Sequence, residues 1–147
     1  MRIENRKARF DYAVVESIEA GLVLSGSEVK SVKSGQVSLE GSRIVVKDGA
    51  LWVIGLQIPL YKYSQIEGYD PIRSKKLLIK KGEMIQIEAK SRTSGLTMIP
   101  LSVYNKGALI KLEIGLVRGK KKYEKREQLK RKTIDKELSA RLKKINK

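Results

Sequence analysis

The sequence predicts a mainly β protein with short helices, in which a small barrel is followed by a basic C-terminal tail. Three observations predict it. The run ALIKLEIGLV alternates apolar and polar residues, placing Ile110, Leu112, Ile114 and Leu116 on one face and Lys111 and Glu113 on the other. Earlier, SRIVVKDGALWVIGLQIPL holds two strand-like runs around an Asp48-Gly49 turn signal. From residue 118 onward, 14 Lys and Arg stand against 4 Asp and Glu, which places +10 of the chain's net +16 at one end.

At 147 residues with 41% hydrophobic content, the chain supports one domain with one real core. Its 32 Lys and Arg against 16 Asp and Glu point to a polyanionic partner, because clustered cations gain free energy by displacing counterions from phosphates. No apolar run approaches the roughly 18 residues of a bilayer span. The start, MRIENRKARFDY, lacks the apolar core of a signal peptide, so a soluble, cytoplasmic protein with no membrane partner is expected. With no Cys and no His, disulfides, thiolate nucleophiles, Cys/His zinc sites and the commonest general base are all removed. No cofactor, metal or catalytic residue is expected.

The elements follow in order. Phe10 to Gly26 is β-prone, with Gly21 as an expected bulge or bend. Ser25-Gly26-Ser27-Glu28 has capping-box spacing and predicts a short helix, EVKSVKS, ended by Gly35 in the left-handed region, with Val29 and Val32 inward and Lys30 and Lys33 outward. In the hairpin that comes next, period two puts Trp52, Ile54, Leu56 and Ile58 on one face, with Trp52 in the core. Residues 61 to 76 lose periodicity around Asp70-Pro71 and read as a loop. Its Tyr61, Tyr63, Tyr69, Arg73, Lys75 and Lys76 mix aromatic and basic groups as a nucleic-acid contact does, or form a solvated loop with tyrosines lying on the core. KLLIKKGEMIQIEAKS reads as a strand and then a helix from near Gly82, although MIQIE also alternates like a strand. LTMIPLSVY and ALIKLEIGLV flank a turn at Asn105-Lys106-Gly107. About six strands and two short helices suggest a closed or partly closed barrel of the class that includes the OB-fold.

In the tail, Ile134, Leu138, Leu142 and Ile145 make a narrow helical stripe, with Glu127-Arg131 and Glu137-Arg141 as favourable i, i+4 pairs. Neighbouring lysines repel and an isolated helix of this length is marginal, so the tail is expected to be disordered when free and helical against a polyanion.

Taken in order, NRKARFDY, IEAGLVLSGSEVKSVKSG, DPIRSKKLLI, ALIKLEIGLVRGKK and GKKKYEKR closely resemble the SsrA-binding protein (SmpB) family, the bacterial partners of transfer-messenger RNA (tmRNA), from about Asn5 to Arg126. The resemblance implies an OB-like barrel over residues 1–118 that binds the tRNA-like domain of tmRNA and delivers it to ribosomes stalled on messages without a stop codon. It also implies a tail, 119–147, that becomes helical on the ribosome and enters the empty mRNA channel and decoding centre. The implied partners are tmRNA, the 70S ribosome including its 16S rRNA, and elongation factor Tu through alanyl-tmRNA. The family's role is non-catalytic, and a monomer is expected.

By the same resemblance, Glu19 matches a family glutamate associated with RNA binding, and Lys30, Ser31, Lys33 and Gly35 fall in the adjoining EVKS motif. A carboxylate at an RNA interface accepts from a base amino group or a 2′-hydroxyl, or orients an arginine; Glu19 could equally serve an internal salt bridge. Leu78 and Lys111 match further family positions, Leu78 read as packing and Lys111 as a phosphate contact. Arg6, Lys7, Arg9, Arg73 and Lys76 complete the expected RNA contacts. In the tail, Gly119, Lys120, Lys121, Tyr123, Glu124, Lys125 and Arg126 align with the two family tail motifs, where the family more often has aspartate at Glu124 and can have histidine at Tyr123. Two other readings compete. One is a structural ribosomal protein or general RNA chaperone, and the other a metal-dependent nuclease using carboxylates such as Glu19, Glu28 and Asp70.

Overall fold

A computed structural model of the chain describes residues 1–119 and, in the tail, residues 126, 127, 129–134, 136 and 138. Its elements run β1 (Arg2–Glu4), α1 (Arg6–Asp11), β2 (Tyr12–Leu22), α2 (Gly26–Lys33), β3 (Arg43–Lys47), β4 (Ala50–Ile54), β5 (Lys75–Leu78), α3 (Lys81–Ser94), β6 (Thr97–Lys106) and β7 (Leu109–Gly119). The strands form one antiparallel sheet in the order β1-β6-β7-β2-β5-β4-β3. The sheet coils enough to bring β3 close to β6, but no ladder joins its two edges among the described residues. The architecture is OB-like and the barrel is not closed, so of the two alternatives left by the sequence the partly closed one holds.

Local chemistry accounts for the regular elements. Asp48 (φ 52°) and Gly49 (φ 71°) both lie in the left-handed region, as the two-residue turn between β3 and β4 requires. Ser25 and Glu28 close the capping box reciprocally: the Glu28 amide donates to Ser25 Oγ (3.3 Å) and the Ser25 amide to Glu28 Oε1 (2.8 Å). Gly35 follows the C-cap Ser34 with φ 80°. β7 buries Ile110, Leu112, Ile114 and Leu116 as its alternation predicts, each contributing about 1.5–3 kcal/mol by leaving water. The turn before it sits at Gly107-Ala108, with Lys106 paired to Leu109, slightly beyond the expected position.

Several expectations are corrected. β1 and α1 are additional to the expected elements, the first of which begins at Phe10. The short helix forms because Asn5 is built into the fold. Its Oδ1 accepts from the Ala8 amide (3.2 Å), while its Nδ2 donates to Pro100 O (2.9 Å) and Leu39 O (3.3 Å). The irregularity in β2 lies between Val14 and Glu16, not at Gly21, which pairs with both Lys111 and Leu78. On β4 the buried face belongs to Leu51 and Val53, so Trp52 and Ile54 are only partly buried. Leu56 and Ile58 are fully buried because Gly55, at φ 78°, breaks the two-residue period and resets which side faces in. The ambiguous MIQIE segment is helical within α3, which ends on Gly95 (φ 63°) and buries Ile87.

Two apolar clusters result. The main core lies on the inner side of the sheet, while Ala8, Ile99, Leu101 and Val117 pack under α1 on the outer side. In the tail, the described residues from 126 to 138 are helical, and Leu129, Ile134 and Leu138 are exposed. The i, i+4 partner Glu137 and the stripe residues Leu142 and Ile145 lie outside the described residues.

Candidate nucleic-acid interface

Because Ala20, Leu112 and Val103 point into the core, their neighbours on the same three strands point out. Register then aligns two outer rows. In one, Glu19 pairs with Glu113, which pairs with Ser102; in the other, Leu78 pairs with Gly21, Gly21 with Lys111, and Lys111 with Tyr104. Sequence-distant Glu19, Leu78 and Lys111 thus share one face of β6-β7-β2-β5. Reading Leu78 as packing is corrected: it is 58% exposed, while its neighbour Leu77 fills the core. Gly21, with no side chain, leaves a gap in that row beside Leu78, whose Cβ would lie 3.3 Å from an added Cβ.

Charge on this face is organised rather than scattered. Tyr104 donates its hydroxyl hydrogen bond to Glu19 Oε2, and Lys106 Nζ lies 3.5 Å from Glu19 Oε1. The Tyr104 bond is the largest influence and, together with Lys106, holds the Glu19 carboxyl below the usual range against the opposing effect of burial. Burial and the neighbouring carboxylate push the Tyr104 hydroxyl up to about 12, so it stays a donor at neutral pH. Arg2 stacks over the Tyr104 ring at 4.7 Å and pairs with Glu4 (2.8 Å) and Glu113 (3.2 Å). Arg9 bridges Glu4 (2.8 Å) and Glu113 (2.7 Å). Burial alone would raise the Glu4 carboxyl, but the hydrogen bonds from Arg2 and Arg9 outweigh it and lower it. The internal salt-bridge role weighed for Glu19 is therefore present, and it leaves an ionised, aimed carboxylate on an exposed surface.

A second cluster sits beneath α2. Glu28 is 1% exposed and pairs with Arg73 at 2.6 Å, with Lys75 Nζ 4.0 Å away. Lys75 is fully buried and donates to Leu56 O (2.9 Å) and Arg73 O (2.7 Å). Burial pushes the Glu28 carboxyl up, but the hydrogen bonds from Arg73 and Ser25 outweigh it and lower it. Burial lowers the Lys75 ammonium. Ser31 also points inward, donating to Pro59 O at 2.6 Å. These groups tie α2 to the 61–74 loop and leave Lys30 and Lys33 exposed on the helix surface.

The other expected contacts are distributed around these two clusters. Arg6, Lys7 and Lys76 are exposed, with Lys7 3.7 Å from Glu40. Gly35 is exposed at the end of α2, Gly119 ends β7, and Arg126 is exposed in the tail helix. Lys120, Lys121, Tyr123, Glu124 and Lys125 lie outside the described residues. In the loop, Tyr69 donates to Ile58 O (2.7 Å), whereas Tyr63 is 74% exposed, so the two readings of this loop divide between its tyrosines.

Tyr104 and Arg2 are the residues that sequence reasoning missed. Ser102, Tyr104 and Lys106 alternate along β6, and that period carried the signal for Tyr104; Arg2 had none, because β1 is three residues long. The nuclease carboxylates are held by different partners: Glu19 by Tyr104 and Lys106, Glu28 by Arg73 and Ser25, and Asp70 by the Ile72 amide (3.0 Å). Among the described residues no three His, Cys, Asp or Glu side chains gather as a metal-binding set, and no helix is long and apolar enough to cross a membrane.

Comparison with known proteins identifies the family. The model of the SmpB protein family matches residues 2–144. An SsrA-binding protein of Borreliella afzelii is 44% identical over 141 residues, covering 96% of this chain and 94% of that protein. One from Enterococcus faecalis is 40% identical over 140 residues, covering 95% and 91%. One from Chlorobaculum tepidum is 44% identical over 137 residues, covering 92% and 87%. A solved chain described as "tmRNA-SmpB: a journey to the center of the bacterial ribosome" superimposes with a TM-score of 0.69 at 41% identity, covering 82% of this chain and 85% of that one. The protein described above therefore belongs to the SmpB protein family.

Proposed function

We propose that the chain is a tmRNA-binding protein of trans-translation: it binds the tRNA-like domain of tmRNA and brings that RNA to ribosomes stalled on non-stop mRNA. The observation that carries this reading is the family match over residues 2–144, with 40–44% identity to SsrA-binding proteins across nearly their whole length. The outer face of β6-β7-β2-β5 supplies chemistry suited to RNA. Lys111 is placed for a phosphate, Glu19 for a base amino group or 2′-hydroxyl, and Leu78 for the apolar surface of a ribose or base. Lys30, Lys33, Lys76, Arg6 and Lys7 extend the basic surface around it. Ser31, its hydroxyl committed to Pro59, serves by holding α2 in place.

Residues 119–147 act as a separate ribosome-directed tail on the barrel of residues 1–118. Lys120, Lys121, Lys125 and Arg126 follow 16S rRNA phosphates in the vacant mRNA channel, Tyr123 stacks on a base in the decoding centre, and Glu124 is aligned beside it. Protein and tRNA-like RNA together then mimic a codon–anticodon interaction. The chain works without catalysis of its own, as a cytoplasmic monomer, and meets elongation factor Tu through alanyl-tmRNA.

The test compares binding to the tRNA-like domain with binding to bulk rRNA fragments at moderate salt. Preference of about a hundredfold or more for the tRNA-like domain is expected, whereas equal affinities would overturn the assignment, because counterion release alone is blind to sequence. Removing residues 119–147 is expected to leave free-RNA affinity within about threefold, or ~0.7 kcal/mol. Peptide tagging on stalled ribosomes is lost in the same variant.

A further inference from the structure

Tyr61 and Tyr63 differ from the tyrosines whose hydroxyls are anchored. They meet edge to face, ring centroids 5.4 Å apart at 70°. Lys62 Nζ lies 4.8 Å from the Tyr63 ring centroid and Lys30 Nζ lies 5.9 Å from that of Tyr61. Together with the C-terminal end of α2, where Ser34 and Gln36 present polar groups, the two rings wall a groove of about 520 Å³. The groove stands on fixed supports: Ser31 donates to Pro59 O, Tyr69 donates to Ile58 O, and the Ile58 amide donates to Pro71 O at 2.8 Å. An aromatic ring left 74% in water on a loop pinned at both ends, flanked by cations, serves no packing purpose that a smaller polar residue would not serve better.

We propose that this groove is a pocket for one unpaired RNA nucleotide. Its base stacks on Tyr63, Lys62 and Lys30 receive the flanking phosphates, and the Gln36 amide meets the base edge. Rings inclined at 70° form a notch, which admits a single base plane and not a continuous stack. The pocket shares no lining residue with the Glu19 face and gives the first part of the 61–74 loop a role beyond the anchoring of α2 by Arg73. It rests on the reading of the chain as an RNA-binding protein.

The test measures equilibrium binding of Tyr63→Ala, Tyr63→Phe and Lys62→Ala to two probes over a range of salt: the tRNA-like domain of tmRNA, and 30S ribosomal subunits. Stacking on one ring predicts that Tyr63→Ala loses about fivefold or more for one probe or both, with the salt slope unchanged. Tyr63→Phe keeps wild-type affinity, and Lys62→Ala lowers the slope by about one. The probe that responds identifies which RNA supplies the nucleotide. The pocket is overturned if Tyr63→Ala stays within twofold for both probes, or if Tyr63→Phe loses as much as Tyr63→Ala. A wild type that fails to prefer the tRNA-like domain over rRNA fragments would sink the tmRNA assignment instead; a Tyr63→Ala loss on 30S subunits would still support the pocket.

Discussion

Two clusters of carboxylates and cations, built from the same residue types, sit on opposite sides of the exposure scale. Glu28 is buried beside the fully buried Lys75 and pairs with Arg73, which reaches in from the surface, whereas Glu19 stands on an open sheet face with Tyr104, Lys106 and Lys111 around it. Both glutamates have lowered carboxyl values, yet the physics behind them differs. At Glu28, hydrogen bonds overcome a burial penalty; at Glu19 there is little burial to overcome, and the Tyr104 bond dominates. A buried charge whose partner is removed stays buried, while an exposed one is simply hydrated. The first cluster therefore holds the fold, and the second is free to meet a ligand.

The largest expected effect separates the two on stability. Glu28→Ala strands Lys75 and removes half of a capping box, so chemical denaturation should report a loss of about 3–5 kcal/mol. Glu19→Gln, by contrast, stays within about 1 kcal/mol of wild type. Losses of similar size at both positions would erase the distinction.

Acid titration sharpens the same contrast. The folded value of Glu28 lies below 4.5, its ordinary value, so its contribution is fully present above 4.5 and is lost as pH falls through the folded value. Stability followed by denaturant titration from pH 6 downward should therefore fall less steeply below 4.5 in Glu28→Gln than in wild type. An unchanged acid limb would mean that Glu28 is not held in its ionised form by Arg73 and Ser25.

A smaller effect is expected at Tyr104. Tyr104→Phe removes the hydroxyl that aims Glu19, keeps the ring under Arg2, and should change stability by about 1 kcal/mol or less. Its affinity for the tRNA-like domain should drop about threefold, or ~0.7 kcal/mol. If affinity is untouched, Glu19 needs no orienting partner.

Features set by neighbours in the chain were legible in the sequence, and those set by distant ones were not. The Asp48-Gly49 hairpin, the Ser25/Glu28 box and the β7 alternation are local codes, and each forms as written. Lys75 read as one more surface cation because its carbonyl partner, Leu56, lies nineteen residues away across the 61–74 loop. α1 was hidden because six residues carry no helical period, and what fixes them is Asn5 reaching Pro100 and Leu39. On β4, one glycine in a left-handed conformation was enough to exchange the faces. Of the candidate site, resemblance supplied Glu19 and Lys111, but only the strand register showed that they share a face with Leu78 and that Tyr104 belongs with them.

Specific recognition of RNA by the exposed Glu19 face is put to the test by equilibrium binding of Glu19→Lys to the tRNA-like domain of tmRNA across a salt series. A cation added near Lys106 and Lys111 would strengthen binding if the surface attracted phosphates and nothing more. Specific recognition predicts the reverse: affinity falls about tenfold or more, ~1.4 kcal/mol, while thermal stability stays near wild type. Unchanged or tighter binding by Glu19→Lys would mean that this face attracts phosphates without reading the RNA.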